Sequence, residues 1–249
     1  MANVVNTQII MDGNRRYAQK KHLHKIKGHE EGLSTLLNVL LWCIDLEIKE
    51  LTAYAFSIDN FNRPKEEVHS LMNLAREKFS KLADKNEYLN KNGVKVCFYG
   101  NLNFLDDEMK ATFTKMEKDT MDNKKIKLNV CFPYNSTEEL YRVINITKDN
   151  LLICDDCIDL REKFESNLYG EYNCNPDILI RTSGEIRLSN FMLYQCRFSI
   201  LFFVDKYWPE FSLKDFLMII IRYNIDYKSH IGKIKILEKQ NKFPIKNIN

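Results

Sequence analysis

The 249-residue sequence lacks any apolar run that approaches the ~18 residues needed to cross a bilayer, and it opens with no signal-peptide pattern. We therefore expect no transmembrane segment and at most a peripheral association with membranes. The sequence also lacks internal repeats and a Gly/Ser-rich linker. With no boundary to divide the chain, we predict one domain over residues 1–249.

A large excess of positive charge is missing as well. The 37 basic and 34 acidic residues leave a formal net charge of +3, which argues against a nucleic-acid-binding protein. No GxxxxGK[ST], GxGxxG or GxSxG pattern occurs, so neither a nucleotide-binding loop nor a serine nucleophile is supported. Cys154 and Cys157 form an isolated CxxC pair among seven scattered cysteines, which favours reduced, mostly buried thiols over a zinc or redox site.

Apolar strand-like segments alternate with amphipathic helical segments along most of the sequence. The predicted strands cover residues 7–11, 51–56, 94–100, 127–132, 177–182 and 199–204. The predicted helices cover residues 32–48, 65–92 and 106–121, a helix capped by Ser136, and a helix capped by Ser212 that leads into a basic helical tail from about residue 224. This alternation predicts a single α/β domain with a mostly parallel central sheet flanked by helices.

Polar residues follow three of the predicted strands where each one ends. They are Asp12, Gly13, Asn14, Arg15 and Arg16 after the first strand, Ser57, Asn60 and Arg63 after the second, and Arg181, Ser183, Arg187 and Ser189 after the fifth. In an open parallel sheet, ligands bind outside the carboxyl ends of the strands. Guanidinium groups suit phosphate oxygens, and one carboxylate suits Mg²⁺ that is shared with phosphates. We therefore predict a diphosphate site with Mg²⁺, the alternative being a solvated rim of arginines.

Five ordered segments of the sequence resemble the cis-prenyltransferases. They are "IIMDGNRRYA", the Gly28-His29 pair, "YAFSIDNFNRPKEEV", "PDILIRTSGEIRLSNFMLYQ" and "YWPEF". Within that family the sequence is most similar to the eukaryotic dehydrodolichyl diphosphate synthases. The resemblance implies an enzyme that adds isopentenyl diphosphate units, with cis double bonds, to an allylic diphosphate such as farnesyl diphosphate. The product would be a long-chain polyprenyl diphosphate.

The resemblance also implies a role for each matched residue. The two catalytic residues would be Asp12, which would bind Mg²⁺ and assist ionisation of the allylic diphosphate, and Asn60, which would help the condensing unit lose its proton. Residues around the allylic diphosphate and its prenyl chain would be Gly13, Asn14, Arg15, Arg16, Tyr17, Lys25, His29, Phe61 and Arg63, while Ser57, a further substrate-binding residue, would act with Asn60. Isopentenyl diphosphate would be bound by Arg181, Arg187 and Ser189.

A long product requires an apolar tunnel, which we expect between the first two long helices. Their apolar stripes contain Leu36, Leu37, Leu40, Leu41 and Ile44 on one helix, and Val68, Leu71, Met72, Ala75, Phe79 and Leu82 on the other. Such stripes also form ordinary core, and that alternative stays open. The polar segment at 83–88 lies where longer-chain members of the family carry extra residues, so we expect a long product.

Two departures from the family pattern concern the metal and the partner. Ile200 stands where bacterial members carry a glutamate that helps to hold Mg²⁺, so no second protein ligand is predicted. An Arg-X-Gly segment, which completes the isopentenyl diphosphate site across a dimer, does not occur after Ile221, and its nearest equivalent is His230-Ile231-Gly232. We therefore expect a homodimer, or a heteromer with an accessory subunit that supplies the segment.

The alternative function is that of a non-catalytic accessory subunit with the same fold. Such subunits lose the aspartate of the first motif and the arginines of "RTSGE", whereas this sequence retains Asp12 and Arg181. We expect a cytoplasmic enzyme that works at the cytosolic face of the endoplasmic reticulum membrane.

Overall fold

The structure, a computed structural model, describes residues 4, 6–84, 86–151, 160–170 and 175–240. Within these residues the strands are β1 Asn6–Ile10, β2 Glu50–Tyr54, β3 Val94–Tyr99, β4 Ile126–Cys131, β5 Ile178–Arg181 and β6 Ile200–Phe203. They form one sheet in the order β3-β4-β2-β1-β5-β6, and neighbouring strands are all parallel. The predicted fold class is confirmed.

Helices connect most of the strands and cover the sheet. They are α1 Asn14–Lys20, α2 Lys25–Asp45, α3 Lys65–Asp84, α4 Asn86–Lys91, α5 Asp107–Thr120, α6 Ser136–Leu151, α7 Leu160–Ser166 and α8 Leu213–Gln240. The main core lies between the sheet and helices α2, α3 and α5, where Leu40, Phe113 and Leu51 are fully buried. No helix among the described residues is both long and apolar enough to cross a membrane.

The start of α2 differs from the prediction by seven residues. The helix begins at Lys25, where His24 accepts a hydrogen bond from the Ile26 backbone N–H, and not at Gly32. Helix α1 was not predicted at all. Both differences arise because residues 14–32 have little apolar periodicity, and the two helices form by packing against each other.

Two helix caps can be compared with their predictions. Ser212 precedes α8, and its Oγ accepts from the Asp215 N–H at 3.4 Å, so the predicted cap is confirmed. The Ser136 cap is wrong by one residue: Asn135 Oδ1 accepts from the Glu138 N–H at 2.8 Å, and Ser136 is already helical. Its Oγ instead accepts a hydrogen bond from the Leu193 N–H at 3.1 Å.

Several predicted features extend beyond the described residues. Helices α3 and α4 cover the predicted 65–92 helix apart from Lys85, which lies outside the described residues, and Asn92, which is in the turn that follows α4. Helix α8 passes through residue 224 without a break, while residues 241–249 of the predicted tail lie outside. The Cys154–Cys157 pair also lies outside the described residues. Cys43, Cys131 and Cys196 are buried free thiols, as predicted.

The parallel register brings the carboxyl ends of three strands to one level. Ile10 of β1 pairs with Tyr54 of β2 on one side and with Arg181 of β5 on the other. The polar segments that begin at Asp12, Ser57 and Arg181 therefore leave the same edge of the sheet. This edge is where the sequence predicted the binding site.

Helices α1 and α2 approach each other closely through two glycines. A Cβ atom on Gly28 would lie 2.2 Å from the Asn14 carbonyl oxygen, and one on Gly32 would lie 2.3 Å from Asn14 Oδ1. Real Cβ atoms do not come this close to oxygen, so only glycine allows the observed contact. The packing holds Asn14, at the start of α1, against the first turns of α2.

Gly28→Ala should lower the free energy of unfolding by about 1–3 kcal/mol, because the new methyl group meets a backbone oxygen that cannot rotate away. At an unconstrained helical position the same change would stabilise by about 1 kcal/mol. Urea denaturation measures the difference, with Ser34→Ala, an exposed position of α2, as the control. A stabilised Gly28→Ala variant would show that the helices can separate at no cost.

Candidate active site

The centre of the site is an ion pair between Asp12, just after β1, and Arg181, the last residue of β5. Arg181 Nη2 donates to Asp12 Oδ2 at 2.7 Å, and the Arg181 side chain is only 3% exposed. Burial alone would raise the pKa of Asp12, but the Arg181 hydrogen bond and the charges of Arg181 and Arg16 outweigh it and lower the pKa below its usual range. Asp12 is therefore a carboxylate at neutral pH.

Thr182 reinforces the connection between the two strand ends. Its Oγ1 accepts from the Asp12 N–H at 3.0 Å and donates to the Asp12 carbonyl at 2.7 Å. Both backbone groups of Asp12 are thus held by one side chain. Thr182 therefore fixes the Asp12 backbone, while Arg181 and Arg16 orient its carboxylate.

The loop that follows β5 has an unusual backbone. Ser183, Gly184, Ser189, Asn190 and Met192 all adopt positive φ angles, between 37° and 81°. Four of these residues are not glycine, so each conformation costs energy that the surrounding contacts must offset. Such strain is common where a loop is shaped to bind a ligand.

Hydrogen bonds from three directions hold this loop in place. Arg181 Nη1 donates to Ser189 Oγ at 2.8 Å and to the Arg187 carbonyl. Asn190 Oδ1 accepts from the Thr137 N–H at 3.1 Å, which ties the loop to the start of α6. The Ser183 N–H donates to the Lys206 carbonyl at 2.6 Å. These contacts to Arg181, the start of α6 and Lys206 support the unusual backbone conformation of the loop.

One group of cations surrounds Glu67 in the first turn of α3. Its carboxylate accepts from Arg15 Nη1 at 3.2 Å, from Arg63 Nη1 at 3.2 Å and from Lys25 Nζ at 3.4 Å. Burial would raise the pKa of Glu67, but the charges of the three cations outweigh it and lower the pKa. We call these four residues the Glu67 cluster.

His29 lies beside the Glu67 cluster and is neutral. Burial, together with the positive charges of Arg63 and Arg15, lowers the pKa of His29 to about 4. At physiological pH its imidazole can donate one hydrogen bond and accept another, but it adds no charge.

A second group of charged residues surrounds Glu185 in the loop after β5. Arg16 Nη1 donates to Glu185 Oε1 at 3.2 Å, and Arg187 Nη1 donates to Glu185 Oε2. Arg16 Nη2 also reaches Asp12 Oδ1 at 3.3 Å. The Asp12–Arg181 pair and the second group are thus joined through Arg16.

The Tyr207-Trp208 segment covers the start of α1. A Cβ on Gly13, whose φ is 104°, would lie 2.9 Å from Tyr207 Cδ1, which explains the glycine at this position. The Arg16 guanidinium carbon lies 5.8 Å from the centre of the Tyr207 ring, within the range of a cation–π contact. The Trp208 N–H donates to the Asp12 carbonyl at 2.9 Å, and Trp208 Nε1 donates to the Gly32 carbonyl at 2.7 Å.

An apolar cavity of about 300 Å³ adjoins the charged groups. Asn14 and His29 line this cavity, and His29 also lies beside the Glu67 cluster, so the cavity reaches that cluster. Its apolar walls come from α2, α3 and the sheet, and six of the residues predicted for a tunnel line it: Leu36, Leu37, Leu71, Ala75, Phe79 and Leu82. Other members of the predicted stripes, such as Leu40 and Ile44, are buried in the core.

The predicted residues after β2 form a compact 3-10 turn at Ile58–Asn62. Ser57 Oγ accepts from the Asp59 N–H at 3.1 Å, and Asn60 Oδ1 accepts from the Ser57 N–H at 3.1 Å. Phe61 stacks on Phe104 with ring centres 5.3 Å apart. Neither Phe61 nor Tyr17 is among the described residues that line the cavity.

The described residues contain no cluster of three or more His, Cys, Asp or Glu side chains that could hold a metal ion by themselves. Asp12 is the carboxylate at the centre of the site, and a single carboxylate suits Mg²⁺ only when phosphate oxygens complete its coordination. Ile200 pairs with Ile178 at the start of β5, three residues before the Arg181 level of the sheet. It therefore lies roughly 10 Å along the strands from the end where Asp12 sits.

The structure brings together most of the residues that the sequence singled out. Asp12, Gly13, Asn14, Arg15, Arg16, Lys25, His29, Arg63, Arg181, Arg187 and Ser189 all lie at this edge. Four residues were missed: Glu67, Thr182, Glu185 and Tyr207. Glu67 and Glu185 could have been found in the sequence, because both are acids within segments predicted to form a basic site. Clustered cations need a counterion, and these two acids provide it.

Comparison with known proteins places this geometry in a family. A family model described as "Putative undecaprenyl diphosphate synthase" matches residues 10–230. The chain is 40% identical over 223 residues to the dehydrodolichyl diphosphate synthase complex subunit of Homo sapiens, covering 88% of this chain and 66% of the human protein. It is 39% identical to dehydrodolichyl diphosphate synthase 6 of Arabidopsis thaliana, covering 91% of this chain and 84% of the plant protein.

The name of an archaeal relative specifies its substrate, geranylgeranyl diphosphate. The tritrans,polycis-undecaprenyl-diphosphate synthase (geranylgeranyl-diphosphate specific) of Thermococcus kodakarensis is 42% identical over 215 residues, covering 85% of this chain and 81% of that protein.

Among solved structures, lavandulyl diphosphate synthase from Lavandula x intermedia, in complex with dimethylallyl diphosphate, matches with a TM-score of 0.78 and 28% identity over 87% of this chain and 93% of that chain. A probable undecaprenyl diphosphate synthase from Campylobacter jejuni shares the fold, with a TM-score of 0.73 and 24% identity over 90% of this chain and 96% of that chain. The family match to residues 10–230, together with identities of about 40% over most of the chain, shows that this chain belongs to the undecaprenyl diphosphate synthase family of prenyltransferases.

Proposed function

We propose that the protein is a cis-prenyltransferase that condenses isopentenyl diphosphate with an allylic diphosphate, and that the product is a long-chain polyprenyl diphosphate. The observation that carries this proposal is the junction between the cation site and the apolar cavity. Asn14 and His29 line the cavity, while His29 also lies beside Arg15 and Arg63. A ligand with a diphosphate head and a hydrocarbon tail would place its head against the cations of the Glu67 cluster and its tail in the apolar cavity.

The allylic diphosphate would bind to the Glu67 cluster and the start of α1. Arg15, Lys25 and Arg63 provide the positive charge, and Gly13 lets the backbone come close to an anion. Neutral His29 would offer a hydrogen bond at the point where the head group meets the cavity. The leaving diphosphate gains negative charge as the allylic bond breaks, and fixed cations stabilise that charge.

Mg²⁺ fits this site only as an ion shared between Asp12 and substrate phosphates. Asp12 is ionised and partly exposed, with its side chain 27% exposed, so an oxygen is available for a metal that arrives with the substrate. When bound, Mg²⁺ would neutralise charge on the leaving diphosphate. Arg181 holds the Asp12 carboxylate in position for this role.

Isopentenyl diphosphate would bind on the loop after β5. Arg187 is 64% exposed and Ser189 is held by Arg181, so both are placed at the surface of the site. Arg181 itself is buried and uses its donors on Asp12, Ser189 and the Arg187 carbonyl. We therefore propose that Arg181 supports the subsite chiefly by shaping the loop.

Asn60 and Ser57 are proposed to assist loss of the proton from the condensing unit. The hydrogen bond from the Ser57 N–H holds the Asn60 amide in one orientation. An amide is too weak a base to keep the proton itself, so a fixed Asn60 would hydrogen-bond to the condensing unit and orient it while a diphosphate oxygen of the substrate takes the proton.

We propose that a second subunit of the same fold covers an apolar surface formed by β6 and α8. Leu201 and Phe203 of the edge strand β6 are 41% and 38% exposed. Met218, Ile221 and Ile225 follow helical spacing along α8 and are 59%, 53% and 68% exposed. The second subunit could be another copy of this chain or a different protein, and the words "complex subunit" in the human relative's name support a different protein.

The retention of Asp12 and Arg181 speaks against the accessory-subunit alternative, because a binding-only subunit has no use for an ionised carboxylate held by a buried arginine.

A polyprenyl product is lipid-soluble, so we propose that the enzyme works at the cytosolic face of the endoplasmic reticulum membrane.

The proposal is tested by incubating the purified protein with radiolabelled isopentenyl diphosphate, Mg²⁺ and one allylic primer at a time. Farnesyl diphosphate is the expected primer, and geranylgeranyl and dimethylallyl diphosphates are the alternatives. Chromatography of the dephosphorylated products gives the chain length. Absence of any elongated product with every primer, with and without an accessory subunit, would refute the enzymatic function.

Asp12→Asn should lower turnover by at least ~100-fold, because an amide neither binds Mg²⁺ well nor holds Arg181. It should also destabilise the fold by about 3 kcal/mol, since removal of one partner leaves a buried charge without compensation. Turnover and urea denaturation measure the two effects separately. Wild-type turnover in Asp12→Asn would contradict the catalytic assignment.

Arg187→Ala should raise the KM for isopentenyl diphosphate about 10-fold or more and change the KM for the allylic primer little. The variant loses a charge-assisted hydrogen bond to phosphate of about 1.5–3 kcal/mol. Initial rates with each substrate varied in turn measure both constants. Arg222→Ala, an exposed arginine on α8, is the charge-matched control. A selective effect on the allylic primer would mean that the two diphosphate subsites are exchanged.

Ile221→Asp should prevent dimer formation without unfolding the chain, because it places a charge in the centre of the proposed apolar interface. Sedimentation velocity measures the association, and Arg222→Ala, the next residue of α8, is again the control.

We also expect the wild-type chain to be weakly active alone and strongly activated by an accessory subunit with an Arg-X-Gly segment. Full activity alone, unchanged by that subunit, would show that no partner is needed.

A further inference from the structure

Glu67 is a negative charge inside the region proposed to bind a diphosphate. Its side chain is only 12% exposed, and its two oxygens accept hydrogen bonds from cations on three separate parts of the chain. Arg15 lies on α1, Lys25 begins α2, and Arg63 precedes α3. A site built to bind an anion as tightly as possible would exclude an acid from this position, so the presence of Glu67 calls for an explanation.

The geometry shows how Glu67 and a diphosphate would share the cations. Arg15 and Arg63 both donate Nη1 to the same oxygen, Oε1, and Lys25 donates to Oε2. Each guanidinium has five N–H donors, so each arginine still has donors for another anion. The Arg15 and Lys25 side chains are 49% and 64% exposed, so the cluster is open to a ligand from the solvent side.

We propose that Glu67 is a positioning residue that acts as a built-in competitor of the diphosphate. It keeps three mutually repelling cations together when the subsite is empty. It also lowers the net charge that a bound diphosphate experiences, so that the anion binds with moderate affinity. This inference rests on the proposed function, because it concerns the same diphosphate subsite.

Repeated condensation is the reason why moderate affinity matters. In every cycle of the proposed reaction, inorganic diphosphate must leave and the lengthened product must move its own diphosphate into the vacated subsite. A site with uncompensated positive charge would hold these anions too long, and release would limit the rate. Glu67 therefore speeds turnover at the expense of binding strength.

Glu67→Gln tests the inference, because it preserves the shape of the side chain and removes its charge. Binding of inorganic pyrophosphate, measured by calorimetry at a fixed excess of Mg²⁺, should become at least ~10-fold tighter. In steady-state assays the KM for the allylic primer and kcat should both fall. A purely structural role predicts the opposite change in KM, since disordered cations would bind the primer more weakly.

Two further variants serve as controls. Glu66→Gln removes the same charge from the same helical turn at an exposed residue, and it should leave pyrophosphate binding unchanged. Glu67→Asp keeps the charge and should bind pyrophosphate with nearly wild-type affinity. Thermal unfolding checks that all three variants are folded.

The outcomes separate this inference from the function on which it rests. If the wild-type protein binds no pyrophosphate and elongates no primer, the proposed function fails and the inference fails with it. If the wild-type protein binds pyrophosphate while Glu67→Gln binds it equally or more weakly, the inference alone is overturned. Tighter binding by both Glu66→Gln and Glu67→Gln would also overturn it, because the effect would then come from overall charge.

Discussion

The ion pair between Asp12 and Arg181 is the interaction on which the rest of the site depends. Arg181 is almost completely buried at the end of β5, so its charge requires a partner, and Asp12 at the end of β1 provides it. Arg181 Nη1 donates to Ser189 Oγ and to the Arg187 carbonyl, which gives the following loop its shape. One buried charge therefore couples the Asp12 carboxylate to the loop that carries Arg187. A change on either side of this pair would affect both of the proposed diphosphate subsites.

The fold was predictable because its strands and most of its helices have the apolar spacing and capping residues that are typical of each element. Strand β1 is buried along its whole length, as expected for a parallel sheet covered on both faces, and it leads into the short apolar run Ile9–Met11 by which it was recognised. The start of α2 was not predictable in the same way. Lys25 to Gly32 contains two glycines and few apolar residues, and the segment is helical because those glycines allow α1 to approach. That reason is a contact between two helices, which a single window of sequence does not contain.

The site was predictable in its cations and unpredictable in its counterions. Asp12 and the arginines follow strands, and parallel strands end at one edge, so their convergence follows from the fold class. Glu67 is 52 positions from Arg15, and in the sequence it looks the same as Glu66, an acid in the first turn of a helix. Which of the two faces the cations depends on how α3 is rotated. The burial of Arg181 was missed for a similar reason, because an arginine at a strand end looks the same whether it faces solvent or a neighbouring loop.

The Tyr207-Trp208 segment has a mechanical consequence for any assembly that the protein forms. It runs from β6 to the start of α8, and it also holds the Asp12 carbonyl, the Gly32 carbonyl and Gly13. The elements that carry the exposed apolar surface are thus directly connected to the base of the site. A subunit that stiffens β6 and α8 would restrict the motion of Asp12, in addition to contributing any residue of its own to the site. Activation by such a subunit would then appear as an entropic gain, with catalytic groups that spend more time in one arrangement.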